Sequence, residues 1–155
     1  MAEPTQGDPA PDFEAQDGTG KTWRLSDLRG QRVILYFYPA DDTPGCTREA
    51  CDFRDNMTVL NQAGYLVLGV SPQGPESHQR FAEKYELNFP LLIDKDLEMA
   101  KAYGSVREKV EFWNDVPLHV ARSTFLIDEN GVIEQAIYKV KAQGHVDSLK
   151  DSIGV

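Results

Sequence analysis

The chain carries only two thiols, Cys46 and Cys51, five positions apart in a sequence of 155 residues. A cysteine does nucleophilic chemistry as its thiolate, and an unperturbed thiol with pKa of about 8.5 is mostly protonated at neutral pH. Three devices lower that value: a helix N-terminus, a nearby cation and hydrogen bonds to the sulfur. Cys46 follows the loop Ala40-Asp41-Asp42-Thr43-Pro44-Gly45 and opens an apolar pattern at Ala50, Phe53, Met57 and Leu60. Spacings of three and four predict an amphipathic helix from Cys46 to about Asn61, with Cys46 in its first turn. Free amides and the positive end of the helix dipole then face the sulfur. Thr43, three residues earlier, offers a hydroxyl, and Pro39 and Pro44 stiffen the loop. The bland reading is a small buried apolar cysteine. Gly45, Thr47 and Arg48 are not a core-like setting, and they favour the reactive reading.

Cys51 lies on the same predicted helix. Ideal geometry separates the two Cα atoms by about 8.7 Å. A disulfide needs less than about 7 Å. The pair therefore cannot bond while the helix is intact, and a Cys46–Cys51 disulfide requires the first turns to unwind. That suits a transient bond better than a permanent staple. Cys51 also fits an apolar-face position in the reduced protein.

The rest of the chain must hold this pair. The composition, 41% hydrophobic and 26% charged, is that of a globular protein, and 155 residues suffice for a single domain over 1–155. The net charge of −9 disfavours nucleic acid and anionic membranes as partners. No stretch has the roughly 18 apolar residues of a membrane span. The N-terminus lacks a basic-then-apolar leader, so the cytoplasm is the expected location. Two cysteines in such a compartment suggest chemistry rather than a disulfide scaffold.

Val33-Ile34-Leu35-Tyr36-Phe37-Tyr38 is continuously apolar or aromatic, as expected of a central strand buried on both faces. Tyr65–Val70, Phe89–Ile93, Ser123–Ile127 and Val132–Lys139 read as further strands, the last two joined by a hairpin at Asp128-Glu129-Asn130-Gly131. Helices are expected at Ser77–Tyr85, Leu97–Tyr103 and His145–Ile153, and a capped helical turn at Ser26–Gly30. Asp17-Gly18-Thr19-Gly20 suits an N-terminal β-hairpin. Ser105–Ala121 gives no clear pattern. The order implies an α/β fold: a mixed central sheet with helices on both faces.

The stretch from Tyr38 to Cys51 (YPADDTPGCTREAC) resembles the active-site segment of peroxiredoxins, through its Pro-x-x-x-Thr-x-x-Cys spacing. The second cysteine five residues on resembles the Q type, the bacterioferritin-comigratory proteins. Phe53-Arg54-Asp55, Gly69-Val70-Ser71, Ser77-His78 with Phe81, Phe89-Pro90-Leu91-Leu92 and Arg122-Ser123-Thr124-Phe125-Leu126-Ile127 extend the resemblance from about Asp8 to the C-terminus. It implies a thioredoxin-like fold and a peroxidase acting on hydrogen peroxide and organic hydroperoxides in antioxidant defence. Cys46 is then the peroxidatic and Cys51 the resolving cysteine. Thr43 would bond the thiolate and the peroxide, and Arg122 would stabilise the thiolate and polarise the peroxide. Pro39 would shield the site and Glu49 would orient the arginine. The Arg122 role comes only from the resemblance; locally it reads as a surface arginine at a strand start. Thioredoxin or a glutaredoxin-like protein is the implied reductant, the chain is expected to be a monomer, and no cofactor or metal is needed.

Residues 109–120 (KVEFWNDVPLHV) depart from the family pattern. Phe112-Trp113 reads either as a cover or contact surface near the sulfur or as a hydrophobic loop anchor. Two other functions are compatible with such a fold: a thioredoxin-like oxidoreductase, which would carry Cys-x-x-Cys, and a non-enzymatic binding domain. His78, His119 and His145 are scattered and lack zinc-ligand spacing, so they read as surface or structural. Asp41-Asp42 serve the loop.

Overall fold

The computed structural model describes residues 3–108 and 118–155. Five strands form the central sheet, in the order β5-β4-β3-β8-β9: β3 (Arg32–Phe37), β4 (Tyr65–Ser71), β5 (Leu91–Ile93), β8 (Ser123–Ile127) and β9 (Ile133–Ile137). β3 pairs parallel with β4 and antiparallel with β8, so the sheet is mixed, as expected. β4 and β5 extend it in parallel, and β8 and β9 close it as an antiparallel hairpin.

The apolar run of β3 is buried on both faces, and Val33 to Tyr38 are each no more than 1% exposed. Side chains alternate across a strand. Val33, Leu35 and Phe37 accordingly enter one core with Leu68, Val70, Phe125 and Ile127. Ile34, Tyr36 and Tyr38 enter the other with Phe53, Leu60, Phe81 and Leu149. The first core is closed by α4 (Glu98–Ala102) and by β1 (Glu14–Gln16), the second by α1 (Pro44–Asp55), α2 (Met57–Gln62), α3 (Pro75–Tyr85) and α5 (His145–Ile153). Helices thus lie on both faces.

β1 pairs with β2 (Thr22–Arg24) in the expected N-terminal hairpin. Asp17 organises its turn, accepting hydrogen bonds from the Thr19 amide and hydroxyl and from the Trp23 indole. At the second hairpin, Asp128 accepts from the amides of Asn130 and Val132, and Gly131 has φ +79°. This left-handed conformation is why glycine stands there.

Three local expectations need correction. The predicted helix from Cys46 to Asn61 is two helices, and the first starts at Pro44. Proline suits a first helical position, because its missing N–H has no intrahelical partner there. The break falls at Asn56, whose side-chain amide donates to the Asp52 carbonyl and competes with the backbone ladder. The turn near Ser26 is a 3-10 turn, Leu25–Leu28, with no side-chain cap. Asp12 instead accepts from the Ser26 amide. The unassigned region contains two short strands, β6 (Val106–Glu108) and β7 (Leu118–Val120), paired antiparallel. Phe112 and Trp113 lie outside the described residues. Among the described residues, no helix is long and apolar enough to cross a membrane.

Gly69 sits opposite Tyr36 in the parallel ladder. A Cβ there would come within 3.0 Å of Leu91 and 3.1 Å of the Tyr36 ring. Overpacking a rigid core is destabilising. Gly69→Ala is expected to cost about 1–3 kcal/mol in urea unfolding; an unchanged midpoint would contradict this packing.

Candidate active site

Thr43 is the N-cap residue of α1, with extended backbone, and Pro44, Gly45 and Cys46 form the first turn. The first intrahelical bond runs from the Thr47 amide to the Thr43 carbonyl, 2.8 Å. The amides of Gly45 and Cys46 therefore precede the ladder and have no partner within the helix. Cys46 is 2% exposed, and Cys51 is half-buried one and a half turns further along. Both thiols are free, on one unbroken helix.

Arg122 leads into β8 and reaches across to α1. Its Nη2 donates to Cys46 Sγ at 3.2 Å, and its Nη1 lies 2.5 Å from Glu49 Oε1. Glu49 follows Cys46 by three residues, so both acids occupy one face of α1 and share one guanidinium. The structure thus joins Cys46, Glu49 and Arg122 directly. Gly45 makes room for this contact, since a Cβ there would sit 3.3 Å from Arg122 Nη2. Spacing alone gave no sign of that requirement.

The site is nearly closed. Glu49 is fully buried, and the Arg122 side chain is 16% exposed. Burial pushes the Glu49 carboxyl up to about 7, against the pull of Arg122. Glu49 Oε2 and the Tyr36 hydroxyl are buried without a hydrogen-bond partner among the described residues. For Arg122, burial works against the charge, while Glu49 and Cys46 hold it cationic. Burial raises the Cys51 thiol, with Asp55 and Asp52 adding to the rise and Arg54 opposing it. Cys51 is thus kept as a thiol inside the helix.

Thr43 is placed beside the sulfur in sequence, but its hydroxyl donates to the Ala40 carbonyl at 3.1 Å. A hydroxyl has one proton to give. Thr43 must turn away from Ala40 before it bonds the sulfur or a peroxide. Pro39 borders a cavity of about 490 Å³ that Arg122, Val106, Val120, Tyr138 and Lys139 also line. That cavity gives the guanidinium an approach from solvent. No group of three or more His, Cys, Asp or Glu among the described residues is arranged to hold a metal.

His145 begins α5 beside this site and shares a 2.8 Å hydrogen bond with the Thr124 hydroxyl through Nε2. Sequence reading missed its proximity to Arg122. Burial and the Arg122 charge together push its pKa down to about 4. The unfolded chain takes up this proton near pH 6.5, before the native state does. Stability from neutral His145 is therefore present above about 6.5 and lost as pH falls toward about 4.

The AhpC/TSA family model matches residues 6–136. Peroxiredoxin Bcp of Escherichia coli is 45% identical over 91% of this chain and 90% of its own. Peroxiredoxin Bcp of Bacillus subtilis is 42% identical over 94% of each. A structure of the Xanthomonas campestris bacterioferritin comigratory protein superposes with a TM-score of 0.85 at 34% identity, over 92% of this chain and 90% of the other.

Between pH 6.5 and 4, the denaturation midpoint of the wild type should fall more steeply than that of His145→Gln, which has no proton to take up. Parallel pH profiles would show that His145 is not held neutral.

Proposed function

This chain belongs to the AhpC/TSA family of peroxiredoxins, and on that premise we propose that Cys46 attacks the peroxide and Cys51 resolves the product. A peroxiredoxin is a thiol-dependent peroxidase, with a peroxide as oxidant and a thiol as reductant, and it has the thioredoxin-like fold described above. The observation that carries the assignment to Cys46 is the 3.2 Å hydrogen bond from Arg122 to its sulfur at the start of α1. A donor fixed on sulfur stabilises the thiolate more than the thiol.

The thiolate attacks one peroxide oxygen. The S–O bond forms, the O–O bond breaks, and the other oxygen leaves as alkoxide or hydroxide and takes a proton. Arg122 and the amides of Gly45 and Cys46, which have no partner within the helix, would stabilise that leaving charge. Glu49 is a positioning residue: its bond to Nη1 aims Nη2 at the sulfur. Thr43, released from Ala40, would donate to the peroxide, and Pro39 would screen the sulfur from bulk water. The product is the Cys46 sulfenic acid. Unwinding of the first turns of α1 exposes Cys51 and removes the burial that holds it as a thiol. Cys51 then attacks the sulfenic sulfur, water leaves, and a Cys46–Cys51 disulfide forms. A dithiol protein, thioredoxin or a glutaredoxin-like one, returns both thiols.

Organic hydroperoxides are proposed substrates beside hydrogen peroxide. The Xanthomonas campestris relative is described by its alkyl peroxide reduction activity, and the cavity beside Arg122 offers Val106, Val120, Tyr138 and Val140 among its charged lining residues. We place the protein in the cytoplasm as a monomer, with no organic cofactor or metal in the cycle.

A coupled assay with hydrogen peroxide, thioredoxin, thioredoxin reductase and NADPH tests the assignment. Cys46→Ser should consume no peroxide; full turnover by it would refute the proposal. Cys51→Ser should complete one oxidation and then stall. Unchanged turnover would assign resolution to another thiol. Arg122→Met should lower the rate of Cys46 oxidation about 100-fold or more, as loss of a transition-state donor does.

A further inference from the structure

The loop that carries Cys46 is tied to α3 through a buried couple, Asp41 and His78. The Asp41 side chain is 3% exposed and that of His78 1%. Asp41 Oδ1 accepts from the Tyr38 hydroxyl at 2.6 Å, and Oδ2 accepts from the Ser77 hydroxyl at 2.8 Å. Oδ2 also lies 2.6 Å from His78 Nδ1. The other ring nitrogen, Nε2, lies 2.9 Å from the Leu92 carbonyl. The Asp41 amide donates to the Gln73 side chain. The side-chain polar atoms of the couple thus meet Tyr38 just after β3, Ser77 of α3 and Leu92 of β5.

The donor count fixes the protonation of the couple. A backbone carbonyl only accepts, so Nε2 must carry a hydrogen. A neutral imidazole would then turn the lone pair of Nδ1 toward a carboxylate oxygen 2.6 Å away. Two lone pairs at that distance repel, and the buried negative charge would lack its balancing proton. One proton therefore lies between Nδ1 and Oδ2, whichever atom it rides on. Asp42, the next residue, makes a different kind of contact. Its carboxylate meets Lys84 at 2.8 Å and the Tyr85 hydroxyl at 2.7 Å at the exposed far end of α3. Such a surface pair contributes little. It leaves the buried couple as the tie of consequence.

We propose that Asp41 and His78, bridged by this shared proton, are positioning residues that hold the Cys46 loop against α3, so that the sulfur meets Arg122 and the peroxide in register. The proposal rests on Cys46 being the attacking thiol. The loop is the only covalent link between β3 and the first turn of α1, and α3 lies outside the segment that must unwind. Releasing the loop therefore loosens the start of α1. Attack on peroxide, which needs the folded geometry, slows. Capture by Cys51, which needs the unwound one, is not hindered. A merely structural residue would slow both steps together.

The test follows single turnovers of the full-length reduced protein with hydrogen peroxide, timing Cys46 oxidation by stopped flow and disulfide formation by quenched alkylation. His78→Leu and Asp41→Ala are expected to slow oxidation about 10- to 100-fold, the scale of a misplacement of about 1 Å, while disulfide formation keeps its rate or quickens. Asp41→Asn should recover most of the lost rate. Its amide carries the bridging hydrogen covalently and can donate to neutral His78 Nδ1 while its oxygen still accepts from Tyr38. In the wild type, a strongly downfield proton coupled to a His78 ring nitrogen should be visible by NMR, and this reading does not depend on any variant folding. The proposal is overturned if that proton is missing, if both steps slow equally in folded His78→Leu, if oxidation is unchanged, or if Asp41→Asn is no better than Asp41→Ala. Wild-type Cys46 failing to react with peroxide at all would instead refute the assignment of the nucleophile.

Discussion

One guanidinium serving two acids is the constraint on which the site depends. Arg122 bonds both Cys46 Sγ and Glu49 Oε1, and both acceptors lie on the buried side of α1. Removing charges from water is costly unless they are paired and hydrogen-bonded. Burial pushes the carboxyl of Glu49 upward, to about 7, against the pull of Arg122. The arrangement needs β8 to deliver Arg122, Gly45 to admit it, and α1 to present Cys46 and Glu49 three residues apart. It also needs β3, buried on both faces, as the fixed base from which the loop departs. Much of the packing around the sheet serves to bring residues 46 and 122 together.

A second demand pulls the other way. The arrangement that holds Cys46 against Arg122 keeps Cys51 out of reach, because both lie on one intact helix. The structure divides the two tasks along α1. Its far end is held: Arg54 Nη1 bonds the Tyr85 carbonyl at 2.6 Å, and the Asn56 amide bonds the Asp52 carbonyl. At its near end Pro44 has no N–H, the amides of Gly45 and Cys46 precede the ladder, and the side-chain ties are those of Arg122 to Cys46 and Glu49. Unwinding from the N-terminus frees Cys46 and Cys51 while leaving these far-end bonds in place. In the proposed cycle it would also separate Cys46 from Arg122, so that the state making the disulfide is not the state attacking peroxide.

What could be read from sequence follows the same physics. The central strand was legible because six apolar residues in a row leave no solvent face. The terminal hairpin and α5 were legible from Asn-Gly chemistry and helical spacing. Cys46 stood out through its loop, its two prolines and the apolar period after it. The break at Asn56 was hidden, since it rests on one side-chain bond inside an otherwise periodic stretch. The β6–β7 pair was hidden because each strand has only three residues. Arg122 drew attention only by resemblance: its contact with Cys46 spans 76 positions and leaves no local pattern. Asp41 and His78 are 37 positions apart, so in sequence they show only a loop carboxylate and a scattered histidine.

In the proposed cycle, peroxide attack and disulfide formation occur in two conformations of the start of α1. Amide hydrogen exchange over residues 43–54, in the reduced protein and in the protein oxidised by one equivalent of hydrogen peroxide, tests it most directly. The account predicts that amides protected in the reduced helix lose protection on oxidation, while β3 and β4 keep theirs. Equal protection of residues 43–54 in both states, with the Cys46–Cys51 bond confirmed by mass spectrometry, would contradict it.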